Sequence, residues 1–273
     1  MRRIKIGNTE VGDGCSTYVI LEIARTYSNL DEAKQLIQIA AENGVNAVKI
    51  QSIQASELMV NNSNTADYFK MLQGLGRTKE QHIILQSECE KYGIDFLSTP
   101  EGPDMADLLE SINVPAYKVS SLNLVYSDLL QKLISTKKPV IISTGMGTDE
   151  EINNVVNMSK DIGHNNVAIL HCSSTYPTSP DDCNLRNITY LKDKFDGVIG
   201  FSDHSVGITA PILSVAMGAS IIEKHFTMNR DQEGADHFVG VDPQMLKDMM
   251  IGIRQAEQML GSYDRVLGPK KLV

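Results

Sequence analysis

The sequence predicts one closed (β/α)₈ TIM barrel, an α/β fold, preceded by a short N-terminal β-hairpin. Three observations carry this. The chain has 273 residues, within the usual range for a single α/β barrel. A short β-branched run followed by a longer helix-period stretch recurs eight times, whereas an open doubly wound sheet usually stops at about five or six strands. No composition shift, low-complexity tract or linker divides the chain, so residues 1–273 are expected to form one domain.

In chain order, residues 4–7 and 10–14 read as a hairpin that plugs the barrel bottom. Strands are expected at 18–23, 47–50, 95–97, 116–119, 140–142, 167–170, 198–201 and 220–223. Helices are expected at 31–43, 79–92, 105–111, 127–136, 149–161, 185–194, 207–217 and 243–260. The first helix shows the logic. Ala33, Leu36, Ile37, Ala40 and Ala41 fall on one face at helical spacing, and Gly44 follows as a stop. Two connections, 52–78 and 226–242, are long; long βα loops in barrels usually serve the site.

Apolar residues make up 42% and charged residues 22%, an ordinary globular composition. The net charge of −9 argues against a nucleic-acid binder. It leaves room for an anionic substrate, because a local lysine cluster can coexist with an acidic surface. No apolar run approaches the ~20 residues that span a bilayer. The basic start, Met1 to Lys5, lacks the apolar core of a signal peptide. A cytoplasmic location is therefore expected. Cys15, Cys89, Cys172 and Cys183 form no CxxC pair and are expected to be reduced thiols, with Cys172 bordering the site.

In this fold, side chains at the C-terminal strand ends build the active site. Those positions hold Glu22, Lys49, Gln51, Ser98, Thr99, Lys118, Ser121, Ser143, Thr144, His171, Ser173, Asp203, His204, Glu223 and His225. A single strand-end His is more often a packed structural residue than a ligand, and a Ser or Thr there is often a helix cap. The recurrence at nearly every strand end is what favours a site. His204 and His225 end adjacent strands and can share one ion; two His with open positions suit Mn²⁺, Fe²⁺, Co²⁺ or Zn²⁺. Asp203, and Glu22 across the barrel, are read as extra oxygen donors or as groups that orient the rings. Lys49 and Lys118 read as an anion clamp, the bland alternative being lysines paired with carboxylates such as Glu22. Ser143, Thr144 and Gly145 add donors at an expected helix start, and Ser202 can do likewise. His82, His164 and His237 are given no chemistry, the last two being read as surface or loop residues. His171 is placed inside the barrel.

Taken together, FLSTP at 96–100, YKVSS at 117–121, ISTGM at 142–146, LHCSS at 170–174 with Tyr176-Pro177, GFSDH at 200–204 and EKHFT at 223–227 resemble the sialic acid synthase family (N-acetylneuraminate, legionaminate and pseudaminate synthases). The IKIG opening at 4–7 and VKIQ at 48–51 extend the match over essentially the whole chain. The resemblance implies a transferase that condenses phosphoenolpyruvate (PEP) with an N-acylated mannosamine-type sugar. The products are a nine-carbon nonulosonic (sialic-type) acid and phosphate, for surface-glycan biosynthesis. It implies a divalent metal, commonly Mn²⁺ with Mg²⁺, Co²⁺ or Zn²⁺ as alternatives, on His204 and His225. It makes Glu22, Lys49 and Lys118 the catalytic set, with Glu22 as acid/base. PEP contacts fall on Lys49, Lys118, Ser121, Ser143 and Ser202, and sugar contacts on Gln51, Tyr176 and Asp236. It also implies a homodimer.

The sequence departs from the family pattern on the sugar side. After Glu22 the family places a Gly-x-Asn-His-x-Gly-like segment; here residues 22–29 read EIARTYSN, with Arg25 and Tyr27 in that loop. An acidic position past the Lys118 strand reads Asn123, and an Asn position after the His-Cys strand reads Ser174. Most relatives continue into a small antifreeze-like domain that lends an arginine to the partner's sugar site. These residues stop at 267–273, about where that linker would begin, so a barrel without that domain is expected. Arg25 is expected to stand in for the missing cation. Two other readings remain open: a PEP-dependent synthase for a different aldose, and a non-catalytic sugar-binding barrel.

Overall fold

A computed structural model describes residues 2–163 and 165–261. His164 and the 267–273 segment lie outside them. Eight parallel strands close into a barrel: β3 (Tyr18–Glu22), β4 (Ala47–Ser52), β5 (Asp95–Pro100), β6 (Tyr117–Val119), β7 (Val140–Ser143), β8 (Val167–Cys172), β9 (Val198–Asp203) and β10 (Ile221–His225). β10 pairs with β3 to seal the ring. The hairpin β1 (Arg3–Ile6) and β2 (Thr9–Gly12) precedes it.

Two apolar layers hold this together. Inside the barrel, Tyr18, Ile20, Leu97, Ile141, Leu170 and Ile221 form one buried cluster, and Ile4, Ile6 and Val11 of the hairpin join it. The hairpin is thus the floor of the barrel, as the sequence implies. Outside, the opposite strand faces pack on helices. In α6 (Ser127–Ser135), for example, Leu129, Leu130, Leu133 and Ile134 recur at helical spacing and are buried. Helix starts carry their own signals: Thr78 and Gln81 form a capping box on α4 (Lys79–Tyr92), and Thr148 and Glu151 form one on α7 (Asp149–Asp161).

Most strands run further toward the site than the apolar pattern indicates. Ser52, Thr99, Cys172, Asp203 and His225 all continue the ladder. Their polarity hides the strand from a hydrophobicity reading. The two long connections also carry structure. The first holds α2 (Ala55–Leu58) and α3 (Ala66–Leu75), which build a satellite core from Ile53, Ala55 and Leu72 with Leu58, Met59 and Phe69. The second holds α10 (Ala235–Val239). α11 (Pro243–Leu260), capped by Asp242, closes the ring of helices against α9 (Thr209–Ala216). Among the described residues no helix is long and apolar enough to cross a membrane, and all four cysteines are free.

Three histidines are placed differently from, or more fully than, the sequence reading. His237 is buried on α10, with Nδ1 2.7 Å from the Thr227 hydroxyl, rather than on the surface. His171 points out of the barrel, because β8 alternates and its neighbour Cys172 points in. It stacks on Phe201, and its Nε2 lies 2.8 Å from the Cys183 carbonyl. His82 is fully buried, linking α4 to the strands: Nδ1 donates to the Thr78 carbonyl at 2.8 Å, and the Ser52 hydroxyl lies 2.7 Å from Nε2. Burial pushes the His82 pKa down. The unfolded chain therefore takes up a proton at His82 before the folded chain does. Stability present above the unfolded value of about 6.5 is lost as pH falls below it, by up to about 1.4 kcal/mol per pH unit for this one group. Urea unfolding of wild type and His82→Gln across the mildly acidic range should show a shallower decline in the variant; identical slopes would remove His82 from the acid response.

Candidate active site

Strand parity decides which polar residues meet. Alternate side chains face opposite ways, so Lys49 and Gln51 on β4 point inward together. The same holds for Ser202 and His204 at β9, and for Glu223 and His225 on β10. They line a cavity of about 210 Å³ at the C-terminal end of the barrel, with Glu22, Lys118, Ser121, Ser143, Ser174 and Tyr176 completing the predicted set within it. A larger hollow of about 960 Å³ lies at the opposite end, around Arg2, Asp13 and Lys192. Its charges are spent in partly solvated pairs, Arg2–Asp196 and Lys192–Asp13, and barrel chemistry sits at the C-terminal end.

The same parity sends Asp203 and Lys224 outward. Register partners on β9 and β10, they form a fully buried pair at 2.6 Å. Asp203 also accepts from the Ser205 N–H at 2.8 Å. It therefore offers no oxygen to the histidines, contrary to the sequence reading. Ser98 likewise turns away, with its hydroxyl 2.7 Å from that of Ser52. Thr144 is tied to the Leu170 carbonyl.

The structure shows the lysines paired with carboxylates. Lys49 forms a buried ion pair with Glu22 and lies 3.7 Å from Glu223. Lys118 lies 3.5 Å from Glu223 and donates to the Ser143 hydroxyl at 2.6 Å. Two carboxylates thus balance two ammonium groups before any substrate arrives. Glu22 is not across the barrel from the histidines: ring closure puts it in register with His225 on one side and Lys49 on the other. Its other oxygen accepts the Ala24 N–H at 2.6 Å, so both of its oxygens are engaged by the protein. Burial raises the Glu22 pKa and the Glu223 charge adds to this, against the pull of Lys49. For Glu223, burial also raises, but Lys118 and Lys49 outweigh it and hold it low. Burial pushes Lys118 down, with Glu223 only partly opposing.

Ser143 to Gly145 do not start a helix, since α7 begins at Asp149. The Gly145 N–H instead donates to the Ser121 hydroxyl at 2.9 Å. A Cβ on Gly145 would stand 2.4 Å from the Ser174 hydroxyl and 3.1 Å from the Cys172 carbonyl, so only glycine lets this loop close over β8. Ser202 donates to Glu223 at 3.0 Å.

The His204 and His225 rings are 5.5 Å apart, centroid to centroid. His204 Nδ1 donates to the Ser173 carbonyl at 2.8 Å, which leaves Nε2 as the acceptor nitrogen. Tyr176 stacks on the ring at 4.0 Å and its hydroxyl donates to that Nε2 at 2.7 Å. His225 Nδ1 is buried without a hydrogen-bond partner, 3.9 Å from Asp236 Oδ2. Burial lowers both pKa values, so both rings are neutral and able to bind a cation. Two imidazoles bound to one ion at about 2 Å would stand roughly 5 Å apart, and the pair fits. Among the described residues no third His, Cys, Asp or Glu closes a cage.

Two predicted residues lie outside the cavity. Asp236 sits behind His225 on α10. Arg25 is exposed on the β3–α1 loop (α1 is Leu30–Glu42) and lines an adjoining hollow with Gln51. Two carboxylates belong in the account although the sequence reading gave them no role. Glu223 bridges both lysines; its same-strand parity with His225 signals its direction. Glu101, past the end of β5, is buried and accepts from Asn123 Nδ2 at 2.8 Å. Nothing in its local sequence marks it.

The NeuB family model matches residues 36–265. An uncharacterised protein of Methanocaldococcus jannaschii is 39% identical over 99% of this chain and 80% of its own length. The N,N'-diacetyllegionaminic acid synthase of Legionella pneumophila is 35% identical over 93% of this chain and 76% of its own. The crystal structure of an N-acetylneuraminic acid (sialic acid) synthetase from Leptospira borgpetersenii, in complex with citrate, superposes with a TM-score of 0.90 at 30% identity. It covers 98% of this chain and 93% of that one.

Proposed function

Because the chain belongs to the NeuB family, we propose that it condenses PEP with an N-acylamino sugar to give a nonulosonic acid and phosphate. The observation that carries this reading is one cavity holding two buried lysines, a carboxylate of raised pKa and a neutral histidine pair. Glu22 and Glu223 already balance the two ammonium groups. What the lysines offer PEP is therefore a set of charged N–H donors beside serine hydroxyls, suited to its carboxylate and phosphate. Lys118, Ser143, Ser121 and Ser202 would hold it on one side and Lys49 on the other.

The residues present also fit a divalent ion such as Mn²⁺, through His204 Nε2 and His225. Bound there, it would supply Lewis acidity to the acceptor carbonyl. The chain's own residues do the rest. PEP C3 bonds to the acceptor carbonyl carbon, whose oxygen takes a proton. Water adds at PEP C2, and phosphate leaves by C–O cleavage. Glu22, between clamp and histidines, is placed to take the proton from that water or to pass one to the new alkoxide. Lys49 and Lys118 hold the charge that collects on the departing phosphate. Gln51, Ser174 and Tyr176 border the acceptor side, with Asp236 behind His225 and Arg25 at the lip.

The test is phosphate release from PEP with Mn²⁺ across a panel of N-acylamino hexoses, with His225→Ala as control. Release that needs sugar and metal, and falls about a thousandfold or more in the variant, is expected. PEP binding without release from any sugar would favour a non-catalytic barrel, and release unaffected by His225→Ala would sink the assignment of the histidines.

A further inference from the structure

Behind the histidines lies a charged pair that the proposed chemistry does not use. Asp203 and Lys224 are both fully buried on the outer face of the barrel, with Oδ2 and Nζ 2.6 Å apart. A buried ion pair seldom stabilises a fold more than apolar side chains of the same size would. Its place in the ladder sets it apart. Asp203 and Lys224 are the last register partners of β9 and β10. His204 and His225 are the next residue on each side, just past the last rung that joins the two strands.

At the far end of the same ladder Gly200 sets the approach of the strands, since a Cβ there would stand 2.4 Å from the Ile221 carbonyl oxygen. At the cavity end no glycine lets the backbones close, and the buried pair spans them instead. It also holds the residue that follows His204. Asp203 Oδ1 accepts the Ser205 N–H at 2.8 Å, and Lys224 Nζ donates to the Ser205 carbonyl. His204 is thus the middle residue of a turn fastened to β10 on both sides. Neither ring is touched. The His204 ring bonds to Ser173 and Tyr176, and His225 Nδ1 makes no hydrogen bond among the described residues.

We propose that Asp203 and Lys224 are positioning residues: they fix β9 against β10 and so set the 5.5 Å separation of the His204 and His225 rings at what one divalent ion spans. The pair acts on the backbone that carries the rings. A metal–nitrogen bond tolerates only about 0.2 Å of error, so two ligands on different strands need those strands held in a fixed relation. An apolar pair would pack between barrel and helices but leave Ser205 unfastened. This inference rests on the reading that the two histidines take a cation.

Mn²⁺ binding is measured by the electron paramagnetic resonance of the free ion, and Co²⁺ coordination by visible absorption at saturating metal. The double variant Asp203→Leu/Lys224→Met leaves no lone charge behind. Its Mn²⁺ dissociation constant should rise by about 10–100-fold, the usual worth of groups that support metal ligands, and its Co²⁺ bands should change shape. Asp203→Asn/Lys224→Gln, whose amides can still bond each other and Ser205, should recover part of the affinity. Leu133→Ala truncates a buried residue of α6, which packs with α5 (Pro103–Ser111) and α7. It should lose stability and keep wild-type Mn²⁺ affinity and Co²⁺ bands. Double variants that bind both ions as wild type does, or whose losses Leu133→Ala reproduces, would overturn the role of the pair and leave the synthase reading intact. Wild type that binds Mn²⁺ no better than His225→Ala would overturn the cation reading and this inference with it.

Discussion

Glu223→Gln is expected to lower stability by about 3–5 kcal/mol, the usual cost of removing one partner from a buried ion pair. The carboxylate is buried, with Oε1 3.5 Å from Lys118 and Oε2 3.7 Å from Lys49. Lys49 retains Glu22 when Glu223 is gone, but Lys118 keeps no carboxylate within ion-pair distance among the described residues. Its pKa, already pushed down by burial, then falls further. The folded variant binds fewer protons than the unfolded chain, so its stability should rise toward alkaline pH more steeply than that of wild type. Inorganic phosphate should restore part of the loss, because an anion that binds only the folded state stabilises by mass action. Urea midpoints at neutral and alkaline pH, with and without phosphate, read all three effects. A variant within about 0.5 kcal/mol of wild type, with no added response to phosphate, would show that Glu223 does not balance the lysines.

This residue also marks where the sequence becomes hard to read. The barrel is legible because eight β-branched runs alternate with helix-period stretches, and the hairpin because Ile4, Ile6 and Val11 alternate with polar neighbours. The strand ends are not, because the residues that extend them are the polar ones serving the site. Parity recovers part of this. If His204 and His225 face inward, Ser202 and Glu223 do too, while Asp203 and Lys224 face out to each other. That alternation is why Asp203 neither donates to an ion nor orients the rings by a hydrogen bond. Glu101 lies beyond parity's reach. It follows the strand, and only the fold brings Asn123, 22 residues later, against it. The small helices α2, α3 and α10 are hidden for a related reason. α2 and α10 are too short for a clear period, and α3 buries only Leu72, against a satellite core rather than the barrel.

Glu22→Gln is expected to lower kcat by about 10²–10⁴, the usual worth of a positioned acid or base, with little change in the KM for PEP. The glutamine keeps the shape that accepts the Ala24 N–H, and Lys49 keeps Glu223 as a partner, so the clamp survives. What is lost is a group that can carry a proton between the clamp and the histidine pair. Burial and the Glu223 charge hold the Glu22 pKa above its ordinary value. A base must be deprotonated to act, so the acidic limb of the rate profile should lie at higher pH than an ordinary glutamate would place it. That limb should vanish in the variant. Single-turnover phosphate release across pH separates this from a structural role. A lysine merely left misplaced would raise the KM for PEP and leave both kcat and the acidic limb in place, and that outcome would remove Glu22 from the chemistry.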